Sequence, residues 1–137
     1  MLNNLGMVKE KLRWLCPDVQ KIPMDTWGDK ETIYWINAED VCYLTTRFEK
    51  GDYRVMAVTA KGEQFYSMLR IGDFEEKLKG NPWFMRTSRS LIVNFRKITR
   101  SRYSAARDLW FEGIEEPQIN AVSSSNLKEF KERFEDF

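Results

Sequence analysis

The chain has 137 residues and a formal net charge of +1, and hydrophobic residues make up 42% of it. This length and composition predict one folded domain rather than a disordered chain. No apolar run is long enough to span a membrane, and the first residues lack the pattern of a signal peptide, so we expect a cytoplasmic protein. The absence of histidine and the presence of only two cysteines exclude Ser-His and Cys-His catalytic pairs and the usual zinc sites. We therefore expect no cofactor, no bound metal and no enzymatic activity.

The small net charge conceals an uneven distribution along the chain. Residues 44–107 hold 14 basic and 6 acidic residues, whereas residues 1–43 and 108–137 carry net charges of −2 and −5. The densest part is residues 86–107, which contain no acid and seven cations: Arg86, Arg89, Arg96, Lys97, Arg100, Arg102 and Arg107. Such a cluster favours phosphate as a partner, and its arginines suit bidentate contacts with phosphates or guanine edges. The alternative is a solvated basic face that the acidic C-terminal segment balances.

The N-terminal segment has the spacing of an amphipathic helix over residues 5–15, which ends before Pro17. Its apolar stripe consists of Leu5, Val8, Leu12 and Leu15. Such a stripe either packs on its own domain or serves as a dimerisation or partner-docking surface.

The central part of the chain changes to the pattern of strands. β-Branched and aromatic residues predict strands at 32–36, 41–46, 53–59 and 63–67, with turns at 37–40, 50–52 and 61–62. Together they predict three or four strands in meander order. A helix is predicted at residues 73–79, with Asp73 in its first turn and with Phe74 and Leu78 facing inward.

The last third of the chain predicts more strands and one further helix. Extended structure resumes at residues 83–86, and a second strand pair is predicted at 97–103 and 108–112. A serine N-cap at residues 123–125 precedes a terminal helix with Leu127, Phe130 and Phe134 on one face. The elements together predict a small, strand-dominated domain with short helices.

One short segment combines arginine and serine residues with an apolar run that directly follows them. Arg86, Ser88, Arg89 and Ser90 come directly before the apolar plug Leu91–Val93, which we expect in the core. The plug would hold the preceding loop in place, so that its guanidinium and hydroxyl donors face outward. Preorganised donors of this kind suit a phosphate backbone or the edge of a base.

The segment from residue 84 to residue 94 resembles the core motif of the LytTR DNA-binding domain family of bacterial transcription regulators. The family pattern is F-x-R-x-H-R-S-x-x-V-N, and the matching positions are Phe84, Arg86, Arg89, Ser90, Val93 and Asn94. Ser88 departs from the pattern, because the family usually has histidine there. Residues 36–43, 67–78, 97–98 and 121–123 resemble further family features in the same order, so the resemblance covers about residues 30 to 134.

The resemblance implies a mainly β (α+β) fold of small antiparallel sheets with short helices. It also implies that loops, rather than a recognition helix, enter successive major grooves of double-stranded DNA at paired short repeats in promoters. Three DNA-binding regions follow from it: a hairpin tip with Lys50, Tyr53 and Arg54; the Arg-Ser loop with Arg86, Ser88, Arg89 and Ser90; and the step into the last helix with Ser124, Ser125 and Asn126.

Within these regions, Tyr53 and Arg89 are the expected base readers. The family commonly has arginine just after the conserved serine of the last step, where this chain has Ser124. Arg102 and Arg107 are further candidates for phosphate contacts, since they belong to the same run of cations.

Several of these residues also have purely structural interpretations. Tyr53 could be a half-buried cross-strand aromatic, and Arg86 could form a salt bridge with an acid of the C-terminal segment. Asn94 is expected to cap a turn rather than to contact DNA. We expect Cys42 to be a buried apolar residue and Cys16 to be an unpaired thiol.

The predicted organisation is an N-terminal helix and linker over residues 1–25, followed by a LytTR-like DNA-binding domain over residues 26–137. The predicted function is sequence-specific transcription regulation, with the protein bound as a homodimer or as two copies on DNA. The alternative is a protein-interaction module that acts through the N-terminal amphipathic helix. No receiver domain is present in the sequence, so control is expected from that helix, from a regulatory partner such as a membrane-bound inhibitor, or from expression level.

Overall fold

The computed structural model describes residues 20–26, 29–49, 51–104 and 107–137. Within these ranges the chain forms two antiparallel sheets, with strand orders β2-β1-β5-β4-β3-β7-β6 and β10-β9-β8. The strands are β1 (Lys21–Thr26), β2 (Asp29–Asn37), β3 (Val41–Glu49), β4 (Asp52–Thr59), β5 (Gln64–Ser67), β6 (Phe84–Ser88), β7 (Leu91–Asn94), β8 (Ile98–Arg102), β9 (Asp108–Phe111) and β10 (Ile114–Gln118). The α-helices are α1 (Ile71–Lys77) and α2 (Leu127–Glu135). The predicted mainly β fold of small antiparallel sheets with short helices is confirmed, and the predicted helix at residues 5–15 lies outside the described residues.

The larger sheet has a different cover on each face. Helix α1 packs on one face through Phe74 and Leu78, in a buried cluster that includes Leu44 and Ile92. The smaller sheet and α2 cover the other face, where Phe130 lies in a second buried cluster with strands of both sheets. The burial of both helices follows from their sequence, since each has an apolar stripe at helical spacing.

The meander prediction is correct for β3, β4 and β5 but wrong for β2. Residues 38–40 form a short 3-10 helix between β2 and β3, and β2 pairs instead with β1, which joins β5. The segment Lys21–Thr26, predicted as part of a linker up to residue 25, is thus a strand of the main sheet. Its alternating Ile22 and Met24 are buried, and they are too few to have indicated a strand by themselves.

A close contact between turns fixes how the two sheets meet. Gly113, in the turn between β9 and β10, has a φ of +76°, and a Cβ atom at this position would lie 1.9 Å from the carbonyl oxygen of Ala60. Only glycine fits, because both the positive φ and the backbone contact exclude a side chain. The turn that follows β4 therefore touches the second sheet directly.

Candidate nucleic-acid interface

The Arg-Ser loop comprises the end of β6, with Arg86 and Ser88, and the two-residue turn Arg89–Ser90 that leads into β7. Leu91, Ile92 and Val93 of β7 are buried, which confirms the predicted plug, and they anchor one side of the turn in the core. Arg89 at the turn is exposed, and its guanidinium has no hydrogen-bond or ion-pair partner in the described part of the chain. The loop thus presents one uncommitted cation on a rigid strand pair.

The guanidinium of Arg86 binds the backbone of this turn. Its Nη2 atom donates to the carbonyl oxygen of Arg89 at 2.7 Å, and its Nε atom donates to that of Ser88 at 3.2 Å. Its Nη1 atom forms an ion pair of 3.2 Å with Glu75 on α1. The predicted structural alternative, a bridge to the C-terminal segment, is wrong in its partner, because the acid comes from α1.

Ser88 and Ser90 also form hydrogen bonds that stabilise the turn. The backbone N–H of Ser90 donates to the hydroxyl oxygen of Ser88 at 3.3 Å. The carbonyl oxygen of Ser90 accepts from the backbone N–H of Thr46 on β3 at 3.1 Å. Ser88, where the family usually has histidine, therefore acts within the turn.

The tip of the β3–β4 hairpin lies on one side of this loop. Tyr53 is 72% exposed and its ring centroid is 4.8 Å from that of Phe48 across the hairpin, so it is a cross-strand aromatic but not a half-buried one. Arg54 forms an ion pair with Asp52 at 3.4 Å. A groove of about 690 Å³ is lined by both the hairpin and the loop, including Tyr53, Arg54, Arg89 and Ser90. Lys50 lies outside the described residues.

The step into α2 lies on the other side of the loop. The side-chain Nδ2 of Asn126 and the backbone N–H of Ser123 both donate to the carbonyl oxygen of Thr87, at 3.2 and 2.8 Å. A second groove of about 450 Å³ contains Asn126 together with Arg86, Ser88 and Arg89. Ser124 and Ser125 are exposed at this step.

The predicted serine N-cap of the terminal helix is wrong. The helix begins at Leu127 with Asn126 as its N-cap, and no side chain caps it. The hydroxyl groups of Ser123 and Ser125 lie 3.2 Å apart and bond to each other instead.

Arg102, at the end of β8, and Arg107, just before β9, have different environments. The guanidinium of Arg102 lies 5.7 Å from the ring centroid of Trp110, and that of Arg100 lies 4.2 Å from it. Arg107 adopts a positive φ of 47°, and its Nε atom donates to the carbonyl oxygen of Val122 at 2.5 Å. Arg107 therefore braces the step into α2, whereas Arg102 lies on an exposed strand end.

Asn94 of the motif and Cys42 of β3 are both buried in the core. Asn94 is fully buried, donates from Nδ2 to the carbonyl oxygens of Val41 and Ala38 at 2.8 and 3.4 Å, and accepts from the backbone N–H of Arg96. The predicted turn-capping role is confirmed. Cys42 is buried as predicted, and burial raises the pKa of its thiol to about 11.

Sequence reasoning missed some of the residues that shape this surface. Nothing in the sequence identified Glu75 as the ion-pair partner of Arg86, because their contact depends on how α1 packs on the sheet. Trp110, in the strand predicted at residues 108–112, is a half-buried platform under two guanidinium groups, and its sequence context did not indicate this role. Met68, Leu69 and Arg70 also line the groove between the hairpin and the loop, and nothing in their sequence indicated it.

The fold and the site define a mainly β domain that presents an exposed arginine on a turn between two strands rather than on a helix. The family model of the LytTr DNA-binding domain matches residues 31–135, and the chain belongs to this family. A solved LytTr DNA-binding domain from Bacillus cereus has the same fold, with a TM-score of 0.64 and 18% sequence identity over 83% of this chain and 95% of that one. No curated protein matches the chain.

Family membership implies DNA binding and a role in transcription regulation, and the family is one of binding domains rather than of enzymes. In the part of the chain that the structure describes, neither α-helix is long and apolar enough to cross a membrane.

Proposed function

We propose that this protein is a cytoplasmic transcription regulator that recognises a specific double-stranded DNA sequence by inserting its Arg-Ser loop into a major groove. The observation that carries the proposal is the position of Arg89. This exposed residue lines one groove with Tyr53 and another with Asn126, so residues of all three regions implied by the family resemblance border one continuous surface.

The base readers in this proposal are Arg89 and Tyr53, which are exposed and project from turns. An arginine in the major groove can bond both acceptors of guanine, whereas a tyrosine can pack on a thymine methyl group or donate to an acceptor. The remaining donors hold phosphates: Lys50, Arg54, Ser90, Arg102, Arg107, Ser124, Ser125 and Asn126. Arg107 and Asn126 each donate one N–H to a backbone carbonyl oxygen and in this proposal contact phosphate through their other N–H groups.

Arg86 has a different role in this proposal from the direct DNA contact that the sequence first indicated. Its donors are directed to two loop carbonyls and to Glu75, so few remain for DNA. We assign it, with Ser88, to positioning the loop. A loop held in its bound shape loses less conformational freedom when it enters the groove, which favours affinity.

Two copies of the domain are expected on each operator, on paired short repeats, because one such loop reads only a few bases and genomic specificity requires more. A homodimer meets this requirement, and so does cooperative binding of two monomers. A regulatory protein partner, such as a membrane inhibitor, would then act by limiting access to DNA.

Binding-site selection from genomic DNA with the purified full chain tests the proposal. We expect recovery of a short sequence that occurs twice at a fixed spacing, and an affinity for it that falls steeply as salt rises. Recovery of unrelated sequences, or binding with no salt dependence, would refute the proposed function. The spacing of the repeats reports how many copies bind.

A further inference from the structure

Thr87 lies in the Arg-Ser loop at an irregularity of the main sheet. Across β6 and β7, which the structure describes in full, the register shifts between Arg86 and Ser88 and leaves Thr87 without a partner residue. An extra residue of this kind bends its strand and keeps its own backbone groups out of the ladder. Thr87 is also 0% exposed, so its polar groups need partners elsewhere in the protein.

The partners of Thr87 lie in the segment that leads into α2. Its hydroxyl Oγ1 donates a hydrogen bond of 2.6 Å to the carbonyl oxygen of Ala121, 34 residues later in the sequence. Its carbonyl oxygen accepts from the backbone N–H of Ser123 and from Nδ2 of Asn126, at 2.8 and 3.2 Å. Among the described residues, three hydrogen bonds therefore join this one residue of the loop to the entry of α2.

Arg107 holds the same segment through other atoms. Its carbonyl oxygen accepts from the backbone N–H of Ala121 at 3.0 Å, and its Nε atom donates to the carbonyl oxygen of Val122 at 2.5 Å. Ala121 and Val122 are themselves buried in the core. Hydrogen bonds and packing thus fix residues 121–123, which come directly before the exposed serines of the step into α2.

We propose that Thr87 is a positioning residue that sets the separation between Arg89 and the exposed Ser124 and Ser125. The inference rests on the proposed function, in which these residues contact one DNA molecule. Thr87 lies two residues before Arg89, and the segment that it binds ends directly before the two serines. Groups held at a fixed spacing lose less conformational freedom when they contact the duplex, which favours affinity.

The turn that carries Arg89 does not depend on the hydroxyl of Thr87. Arg86 donates to the carbonyl oxygen of Arg89, and the carbonyl oxygen of Ser90 accepts from the backbone N–H of Thr46. Loss of the hydroxyl should therefore loosen the step into α2 and leave the turn in place. This separates the role of Thr87 from that of Arg86, which acts within the turn.

The separation is measured first in the full chain without DNA. Nitroxides are attached to Arg89→Cys and Ser125→Cys in a Cys16→Ser background, where the buried Cys42 reacts poorly because its pKa is raised to about 11. We expect a narrow distance distribution by dipolar EPR spectroscopy. Thr87→Val, which removes the hydroxyl and keeps the branched shape, should broaden the distribution. Thr87→Ser, which keeps the hydroxyl, should restore it.

Affinity for the operator recovered by binding-site selection is measured next, in chains without labels. Thr87→Val should weaken binding about tenfold, as for one or two lost hydrogen bonds, because the step then meets the duplex in a spread of positions. The preference for the base that Arg89 reads should remain, since Arg86 still holds that turn. Thr87→Ser should bind as the wild type does.

Thr59→Val is the matched control. Thr59 is 3% exposed at the end of β4 away from Tyr53, and its Oγ1 atom accepts from the backbone N–H of Glu63 at 3.2 Å. Its replacement removes another buried threonine hydroxyl, but one with no bond to the loop or to the step. We expect an unchanged distance distribution and unchanged affinity.

The outcomes distinguish this inference from the proposed function. An unchanged distribution in Thr87→Val would overturn the inference, and so would equal broadening in Thr59→Val. A broadened distribution with unchanged affinity would also overturn it, because the separation would not serve DNA binding. If selection recovers no sequence, the proposed function fails, whereas the EPR measurement still decides whether Thr87 sets the separation.

Discussion

The guanidinium of Arg86 donates a hydrogen bond of 2.7 Å to the carbonyl oxygen of Arg89. The first arginine of the motif thus holds the backbone of the second, while the side chain of the second stays exposed. Two arginines that look equivalent in the sequence therefore have separate tasks, and mutation should distinguish them.

Arg86→Ala should weaken binding to the cognate site by about 1–3 kcal/mol, because two loop carbonyls lose a charged donor. Since no phosphate contact is lost, the slope of log affinity against log salt should stay the same. Arg86→Lys should not restore binding, because an ammonium group cannot reproduce the planar fork. Filter-binding titrations at several salt concentrations measure both quantities.

Glu75→Gln is the matched control for Arg86. It removes the ion pair with Arg86 but leaves both loop hydrogen bonds, so its effect should be clearly smaller. A salt slope reduced by about 1 in Arg86→Ala would contradict the positioning role and restore the phosphate contact.

Arg89→Ala should lose about 1–3 kcal/mol on the cognate site and tolerate changes in the base that this arginine reads. The physical reason is the loss of a bidentate contact with a base edge, which carries sequence information. Competition assays with operators changed at one base at a time measure the loss of discrimination.

Lys61→Ala is the control for charge alone. Lys61 is an exposed cation in the turn after β4, at the opposite end of that strand from Tyr53. We expect wild-type affinity and specificity from it. If Arg89→Ala bound the cognate site as tightly as this control does, Arg89 would not be a base reader.

Arg102→Ala should weaken binding to all sequences by a similar factor and reduce the salt slope by about 1, as expected for the loss of one phosphate contact. Its stacking on Trp110 keeps the cation near the exposed end of β8. Arg102→Lys keeps the charge and should retain most of the slope. An effect confined to the cognate sequence would show that Arg102 reads a base instead.

The sequence predicted the fold where patterns are local. The strands around Leu44, Val55 and Ile92 are rich in β-branched and apolar residues, and helix α1 shows its apolar pair Phe74 and Leu78, so these elements were found. The strand β1 was missed because it is short, contains proline and depends on β2 and β5 for its stability. Pairing over such distances leaves little trace in a single sequence.

In the candidate site too, the sequence predicted what depends on a local motif but not what depends on contacts between distant segments. Arg86 and Arg89 were found together from their motif, but their different roles depend on where Glu75 is placed by the packing of α1. The bond from Asn126 to the carbonyl oxygen of Thr87 joins segments 39 residues apart. Contacts of this kind become visible only when the tertiary structure is known.

The thiol of Cys42 should make stability depend on pH in the alkaline range. Burial raises its pKa from 9.0 to about 11 in the folded protein, so the unfolded chain loses this proton first as the pH rises. The stabilisation from a neutral buried thiol is therefore complete below about pH 9 and is lost as the pH rises towards 11. Urea unfolding at pH 8 and pH 10 (roughly one unit on either side of the unfolded pKa) should show a smaller decrease for Cys42→Ala than for the wild type. Equal decreases would show that Cys42 does not titrate differently on folding.

Asn94→Ala should cost about 2 kcal/mol or more of unfolding free energy, although the residue belongs to the family motif. The side chain is 0% exposed, and its loss removes a donor from the carbonyl oxygen of Val41 and the acceptor of the N–H of Arg96. The carbonyl oxygen of Ala38 also loses a donor but keeps the backbone N–H of Val41. Each buried group left unsatisfied costs roughly 1–3 kcal/mol. Asn37→Ala removes an amide that bonds at the surface to Lys21 and should change the stability by no more than about 0.5 kcal/mol. Urea denaturation of both variants, with DNA binding measured under conditions where both remain folded, checks the assignment. A folded Asn94→Ala protein with normal stability and lost DNA binding would instead place Asn94 at the DNA.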